Sequence, residues 1–334
     1  MFNNWIIMVI HELGHAIFLL LKNIPIVGIC VPFVSMHFGD KIEYKILSSW
    51  ESKGLVISDI QIINNESEFK QLKKIYTNFL SAGPVGTIIF YMIQMGSFFA
   101  MQHYCHKLKS YLVVLILHTS IKTFFLLRNC FKELRNNIGD IVAAERIKND
   151  NFFFTKYVYC CYFFSGSYKS KIREAVYIKK IVKEHLSYMS EEELINEIDL
   201  LDEIIYRSIS GLDDYFNDYL NGIIYLLVDV LFDSMTNHTD DKNSVISTYF
   251  HILMYIIIVS KDSNQALKLY LQAQDFLQLD EPMCKYLNSE VRYLLNIEID
   301  KPEEVYPVIE YENWNFYTQY YNCENIILDK RQIV

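Results

Sequence analysis

The sequence predicts a mostly α-helical protein with polytopic membrane helices and a small β insertion, followed by an α-helical C-terminal domain. Three long apolar stretches occur before residue 130, and a polar stretch with β-type alternation separates the first two. Apolar residues then recur at helical spacing after about residue 165. Hydrophobic residues make up 51% of the 334 residues and charged residues 21%, which favours a chain that lies partly in lipid.

The three apolar stretches are candidate transmembrane helices. The first, Trp5–Leu21, contains 17 residues, or about 26 Å of helix, which is the low end for crossing a bilayer. The second, Phe79–Met101, carries no charge over 23 residues and is the clearest predicted span. The third, Tyr111–Leu127, is apolar apart from His118 and Lys122. The sequence therefore predicts three spans in the first half of the chain.

Residues 22–75 form a polar stretch between the first two spans. Its segments KIEYKILS and GLVISDIQII alternate β-branched and polar residues on either side of Gly54, which predicts a small β-unit of hairpins. This stretch holds seven lysines, the loop 102–110 holds two basic residues, and the region from Arg128 to Lys148 holds five. By the positive-inside rule, residues 22–75 and the C-terminal part face the cytoplasm, and the N-terminus faces out.

The chain divides into a membrane-embedded domain at 1–150 and a helical domain at 151–334. In the second domain, segments with helical periodicity alternate with polar loops such as TNHTDDKN. Their pairing resembles helical-hairpin repeats of the tetratricopeptide type, and an ordinary helical bundle is an equal alternative because no fixed period stands out. The aromatic run at 151–164 is either a helix at the membrane surface or a core helix of the C-terminal domain.

Charge and cysteine content argue against two classes of function. Residues 1–150 contain 15 Lys and Arg against 11 Asp and Glu, whereas residues 151–334 contain 16 against 29. The acidic second half disfavours nucleic-acid binding, which needs a basic face. The seven cysteines are odd in number and show no CxxC spacing, which disfavours a disulfide framework or a zinc site built from cysteines.

The segment HELGH, residues 11–15, lies inside the first apolar stretch. On a helix, His11 and His15 are one turn apart on one face, which suits two ligands of one metal ion. Glu12 lies beside that face, where it can accept a proton from a water molecule that the metal activates. Three polar side chains in an apolar span are costly unless they have a function. The alternative is a His/Glu pair satisfied by hydrogen bonds within a helical bundle.

With these residues, the chain resembles the site-2 protease family of intramembrane zinc metalloproteases. HELGH lies in a first apolar helix, as in that family, and SAGPVG at 81–86 is similar to the family's A-G-P motif in the following span. The resemblance covers residues 5–150. It implies a zinc-dependent enzyme that cleaves peptide bonds within or beside the bilayer, and an edge strand of the β-unit that pairs with an unfolded substrate segment.

The resemblance also implies a third metal ligand, an Asp that often lies in an N…P…DG pattern. The best match is Asp140, with Asn129 similar to the leading Asn and Gly139 before the Asp. The Pro of the pattern is missing, and Ile141 replaces its last Gly. The alternative for Asp140 is a helix N-cap or a first-turn acid ahead of IVAAERI.

Three further residues of the second span belong to the candidate site. An Asn often follows the A-G-P motif, and Thr87 occupies that position, which implies a contact with the substrate backbone. Gly83 and Pro84 are expected to allow close helix packing with a kink, along the path of the substrate. Four other histidines are weaker candidates for metal ligands, and each has a plain packing or surface role as its alternative: His37, His103, His106 and His118.

The sequence therefore predicts a bacterial, multi-pass plasma-membrane zinc endopeptidase, with zinc held by His11, His15 and Asp140 and with Glu12 as general base. The substrate would be a membrane-embedded or membrane-associated peptide or protein, and the C-terminal helical domain would bind a protein partner or gate access. Two alternatives stay open. One is a non-catalytic membrane-anchored scaffold with a degenerate site, and the other is a soluble zincin with a buried helix.

Overall fold

The computed structural model of the chain describes residues 2–31, 34–38, 42–46, 54–104, 109–134, 137–162, 168–236, 242–277 and 282–298. These residues are mostly helical and include a small antiparallel sheet, as the sequence predicts. The chain forms two compact units that divide after Gly166. The aromatic run at 151–162 consequently belongs to the first unit, on the N-terminal side of the division.

The described residues of the first unit form five helices, a four-stranded sheet inserted between the first two, and a two-stranded hairpin between the third and fourth. Its helices are α1 (Phe2–Leu21), α2 (Glu66–Tyr104), α3 (Lys109–Cys130), α4 (Asp140–Asn149) and α5 (Asn151–Cys161). Its strands are β1 (Ile26–Val31), β2 (Val34–Phe38), β3 (Ile42–Ile46), β4 (Leu55–Ser58), β5 (Glu133–Leu134) and β6 (Asn137–Ile138).

The inserted sheet follows directly from the end of α1. Its strand order is β3-β2-β1-β4, and all neighbouring strands are antiparallel. The hairpin of β1 and β2 pairs Gly28 with His37 and Val31 with Val34. β4 pairs with β1 at one side of the sheet, so β4 and β3 are the two edge strands among the described residues. β4 is thus an edge strand, and it also contacts α1.

The outward faces of α1, α2 and α3 are apolar. Ile17, Met92 and Phe124 are each more than half exposed on these three helices. The helical segments Glu66–Met101 and Tyr111–Cys130 are long and apolar enough to cross a membrane, and they contain the second and third predicted spans. Trp5–Leu21, in α1, is a shorter apolar helix. Large apolar side chains directed outward on long helices fit a lipid surface better than water.

The aromatic helix α5 packs into the core of the first unit. Asp150 caps its N-terminus by accepting hydrogen bonds from the backbone amides of Phe152 and Phe153. Phe154 is fully buried and its ring contacts those of Phe69 and Tyr76 on α2. The run therefore does not belong to the core of the C-terminal domain, and a position at the membrane surface stays a prediction. The sequence interpretation overlooked the apolar face of the N-terminal part of α2, where Phe69 and Tyr76 are buried.

The second unit is helical throughout its described part. Its helices are α6 (Tyr168–Glu174), α7 (Val176–Leu186), α8 (Glu191–Asn196), α9 (Ile198–Ile209), α10 (Asn217–Thr236), α11 (Lys242–Ile258), α12 (Ser263–Ala273) and α13 (Pro282–Leu294). α11 is buried along most of its length and contacts α9, α10, α12 and α13. A bundle and a helical-hairpin array both pack a helix against its near neighbours in sequence, so the repeat stays a prediction.

α10 is longer than its apolar sequence suggests. The segment GIIYLLVDVLF alone is too short to span a bilayer, but the helix runs from Asn217 to Thr236 because polar residues extend both ends. By length and composition it could cross a membrane. One of its faces is buried, with Leu220, Leu227 and Leu231, and the opposite face carries exposed aspartates at 218, 229 and 233. This amphipathic pattern is typical of a helix in a folded, water-facing unit.

Candidate metal centre

α1 and α2 approach each other closely where HELGH meets the SAGPVG segment. A Cβ atom on Gly14 would lie 2.6 Å from the carbonyl oxygen of Ala82, and one on Gly86 would lie 3.2 Å from the Cα of Gly14. Small residues on both helices therefore let the two backbones touch. This packing directs the histidine face of α1 at α2 and buries His11 and His15, which are 6% and 4% exposed.

Three side chains that could hold a metal ion meet at this helix pair. His11 Nε2 lies 2.7 Å from Asp140 Oδ2, and His15 Nε2 lies 3.4 Å from the same oxygen. The potential ligand atoms of these three residues all lie within 4.8 Å of one another, and this is the one such group of three or more in the described part of the chain. Asp140 comes from α4, 125 positions or more away in sequence from both histidines.

The position of Asp140 depends on the short connection between α3 and α4. Gly139 donates its backbone amide to the carbonyl of Lys132 and lies against the carbonyls of Asn129 and Cys130, so closely that a Cβ atom there would clash with both. Asp140 is the first residue of α4, as the alternative of a first-turn acid predicts, but its carboxylate is directed at the two histidines. The missing Pro of the family pattern does not prevent this approach.

The charge of Asp140 suits a metal ligand. Burial by itself would raise the pKa of the Asp140 carboxyl, but hydrogen bonds with His11 and His15 outweigh burial and hold that pKa well below its usual value. The carboxyl group is therefore ionised at neutral pH and offers an anionic oxygen to a cation.

The second nitrogen of each histidine is also held. His15 Nδ1 lies 2.7 Å from the backbone carbonyl oxygen of Phe79. His11 Nδ1 lies 3.1 Å from the hydroxyl oxygen of Thr87, which is 1% exposed and donates its own hydrogen bond to the carbonyl of Gly83 at 3.1 Å. Metal-binding histidines usually donate their other ring N–H to such an acceptor. Thr87 contacts the first histidine, and the contact with a substrate that its family position implies stays a prediction.

Glu12 lies next to the ligands and is covered by the start of the β4 segment. It is 5% exposed. A Cβ atom on Gly54 would clash with its carboxylate, and would lie 2.5 Å from Cδ and 2.6 Å from Cγ. Only a glycine at position 54 lets the chain pass this close. The sheet edge that begins at Leu55 is therefore brought directly beside the carboxylate of Glu12.

Gly83 leaves space next to the ligand nitrogens. A Cβ atom at this position would clash with His15 Nε2 and would lie 2.8 Å from His11 Nε2. Pro84 follows inside α2, where it is buried and cannot donate a helical hydrogen bond to Leu80. The adjacent carbonyl of Phe79 accepts the bond from His15. The two residues thus shape the wall of α2 that faces the three ligands.

The other histidines lie outside this group. His37 is on β2, half-buried, and His118 and His103 are exposed on α3 and α2. None of these three belongs to the cluster of His11, His15 and Asp140. His106 lies outside the described residues.

The donor set fits zinc. Two imidazole nitrogens and one carboxylate oxygen are ligands that catalytic zinc sites use, with the fourth position left to water or substrate. A tetrahedral ion with bonds of about 2.0–2.1 Å separates its ligands by about 3.3 Å. The observed separations of 2.7 and 3.4 Å require only small movements to reach that value.

Sequence reasoning missed three contributors to the site. The carbonyl of Phe79 acts through the backbone, for which a sequence has no signature. Gly54 was interpreted only as a break between strands, and Gly139 only as part of a motif. Phe79 and Gly139 lie next to SAGPVG and Asp140 in the sequence, which was the available signal for them, whereas Gly54 had none.

Comparisons with known proteins do not extend this description. No protein-family model matches the sequence, and no curated protein and no solved structure is significantly similar to it. The resemblance to site-2 proteases accordingly rests on HELGH, on SAGPVG and on the aspartate that lies beside the two histidines.

Proposed function

We propose that the chain is a zinc-dependent intramembrane endopeptidase of the site-2 protease type. The observation that carries this proposal is the convergence of His11, His15 and Asp140, from two separate helices, beside the buried carboxylate of Glu12. A purely structural histidine pair has no need of a third ligand that is brought from a distant helix. Nor does it require Gly54 and Gly83 to pack directly against Glu12 and the two histidines.

Each residue has a distinct role in this reaction. Zinc, when bound, supplies Lewis acidity that activates a water molecule and polarises the scissile carbonyl. His11, His15 and Asp140 hold the ion. Glu12 accepts a proton from the attacking water and then donates it to the leaving amine, so that the peptide bond is broken without a covalent enzyme intermediate. Burial among α1, α2 and the β4 segment keeps bulk water away from this carboxylate.

The reaction would take place at membrane depth. α1, α2 and α3 are assigned as the spans because their outward faces are apolar. α10 is assigned to the water-facing helical unit because of its aspartates. By the positive-inside rule, the lysines of residues 22–75 and the basic residues after α3 favour a cytoplasmic location for the segments that carry them.

An extended substrate segment would bind along β4. Among the described residues β4 pairs only with β1, so its other edge has backbone groups available for an added strand. A peptide that pairs with this edge is led past Gly54 and hence past Glu12. Backbone pairing recognises an unfolded segment with little demand on its sequence, as suits a membrane-embedded or membrane-associated peptide or protein. The acidic helical unit would then bind a protein partner or control access.

Zinc content and proteolysis test the proposal together. We expect detergent-purified wild-type protein to contain one zinc ion and to cleave fluorescently labelled casein, an unfolded probe. The Glu12→Gln variant keeps the zinc and loses the cleavage, because the amide cannot accept the proton. Full cleavage by Glu12→Gln would refute the mechanism. Absence of zinc from both the wild type and Glu12→Gln would favour the membrane-anchored scaffold with a degenerate site.

A further inference from the structure

The two histidines of the centre are oriented by different kinds of acceptor. His15 Nδ1 is held by the main-chain carbonyl of Phe79, which no side-chain substitution removes. His11 Nδ1 is held by the Thr87 hydroxyl, which a single substitution can remove. The orientation of only one of the two ligands therefore depends on a side chain of α2.

The hydrogen-bond chain at Thr87 selects one tautomer of His11. A hydroxyl has one hydrogen to donate, and the Thr87 hydrogen is directed to the carbonyl of Gly83. The lone pairs that remain on the hydroxyl oxygen can only accept, so the adjoining His11 Nδ1 must carry a hydrogen. Without an ion, the hydrogen bond from His11 Nε2 to the ionised Asp140 carboxylate puts a hydrogen on Nε2 as well. A bound ion would replace that Nε2 hydrogen and leave the one on Nδ1, so the neutral ring would offer its Nε2 lone pair to the ion.

Among the described residues, the Thr87 hydroxyl is the hydrogen-bond partner that the structure gives this nitrogen. Thr87 is 1% exposed, on the face of α2 that packs against α1. Its position one turn after Gly83 places the hydroxyl on the same wall that lies against the two Nε2 atoms. If the Thr87 hydroxyl is lost, the Nδ1–H of His11 is left buried without this acceptor, and the tautomer with hydrogen on Nε2 competes for the site.

We propose that Thr87 is a positioning residue for the metal centre, which fixes the orientation of His11 and presents its Nε2 lone pair to the ion. This inference rests on the proposed zinc site but differs from the substrate contact that the family position of Thr87 implies. Its signature is a change in metal affinity in the absence of any substrate.

The test is the zinc dissociation constant of the detergent-purified full-length chain, measured by competition with a chelating dye. Thr87→Val has nearly the same shape as the wild type but lacks the hydroxyl. We expect it to bind zinc about 10- to 100-fold more weakly, the usual effect of removing an orienting partner. Thr87→Ser retains the hydroxyl and restores affinity to near the wild-type value. The absorption spectrum of the cobalt-substituted protein should change in Thr87→Val and not in Thr87→Ser.

Thr155→Val is the matched control. Thr155 is fully buried on α5 and donates to the carbonyl four residues before it, as Thr87 does, but it contacts no histidine. Loss of zinc affinity in Thr87→Val but not in Thr155→Val supports the inference. Equal affinity in wild type and Thr87→Val overturns it, and so does a Thr87→Ser variant as weak as Thr87→Val.

The outcomes separate this inference from the proposed function. If Thr87→Val binds zinc more weakly but the wild type cleaves no substrate, Thr87 orients a ligand of a non-proteolytic centre. If the wild type cleaves and all variants bind zinc equally, the protease stands and the role of Thr87 is refuted. A wild type without zinc overturns both.

Discussion

Each unit of the molecule contains a buried histidine paired with an aspartate at the same distance, through Nε2 in His11 and through Nδ1 in His251. His11 and Asp140 are 2.7 Å apart in the first unit, and His251 and Asp202 are 2.7 Å apart in the second. The two aspartate side chains are equally exposed, at 27%. The surroundings differ, because His11 has a second histidine and a glutamate beside it, whereas His251 Nε2 has no hydrogen-bond partner among the residues that the structure describes. A His–Asp pair alone therefore does not make a metal centre.

The pair of His11 and Asp140 is part of a candidate metal site because close backbone packing brings further ligands beside it. Glycines on α1 and α2, and before α4, bring three chain segments within reach of one ion. In the second unit, α9 and α11 carry larger residues, and the ring of Tyr206 packs against His251 at 5.9 Å. The nitrogen that could bind a metal is enclosed by that core. The two His–Asp pairs therefore differ in whether small residues, as beside His11, or a large ring, as beside His251, border the histidine.

The largest expected difference is in zinc binding on removal of either aspartate. Asp140→Ala removes one of three ligands, and we expect the bound zinc to fall from one ion per chain to almost none in equilibrium dialysis. Asp202→Ala should keep the full zinc content. It should instead lower the thermal stability, since the loss of a partner for a buried histidine costs about 1–3 kcal/mol. One zinc ion retained by Asp140→Ala would move the third ligand to another residue, with His37 and His118 next to be tested.

A second prediction concerns the space beside the ligands. Gly83→Ala puts a methyl group where the two Nε2 atoms lie, so we expect zinc binding and proteolysis to be lost together. Gly96→Ala, on the same helix, meets nothing within 4 Å and should leave both unchanged. Zinc content and casein cleavage of the two variants check this. Wild-type zinc affinity in Gly83→Ala would show that the ion lies away from α2.

The sequence predicted the candidate ligands more completely than the residues that pack against them and orient them. HELGH and the apolar stretches predicted α1, α2 and α3, because helical periodicity and length are local properties. Asp140 was found by the GD pair although the family pattern is incomplete. The contacts of Gly54 with Glu12 and of Phe79 with His15 join residues more than 40 positions apart, and nothing local encodes them. The aromatic pattern of α5 suits a lipid surface and a protein core equally, so only packing against Tyr76 identified its place.

The smallest predicted effect comes from a glycine without a role in packing. Gly222 lies within α10 on its exposed side and has no atom within 4 Å of the position of a Cβ, in contrast to Gly83. Gly222→Ala should therefore stabilise the second unit by about 0.5–1 kcal/mol, because glycine loses more backbone entropy in a helix than alanine. A rise in the thermal unfolding midpoint with unchanged zinc content would show that glycines are required at the metal centre and only tolerated in α10. A destabilised variant would instead mean that this face of α10 is covered by a partner or by lipid, and α10 would then have to be reconsidered as a fourth span.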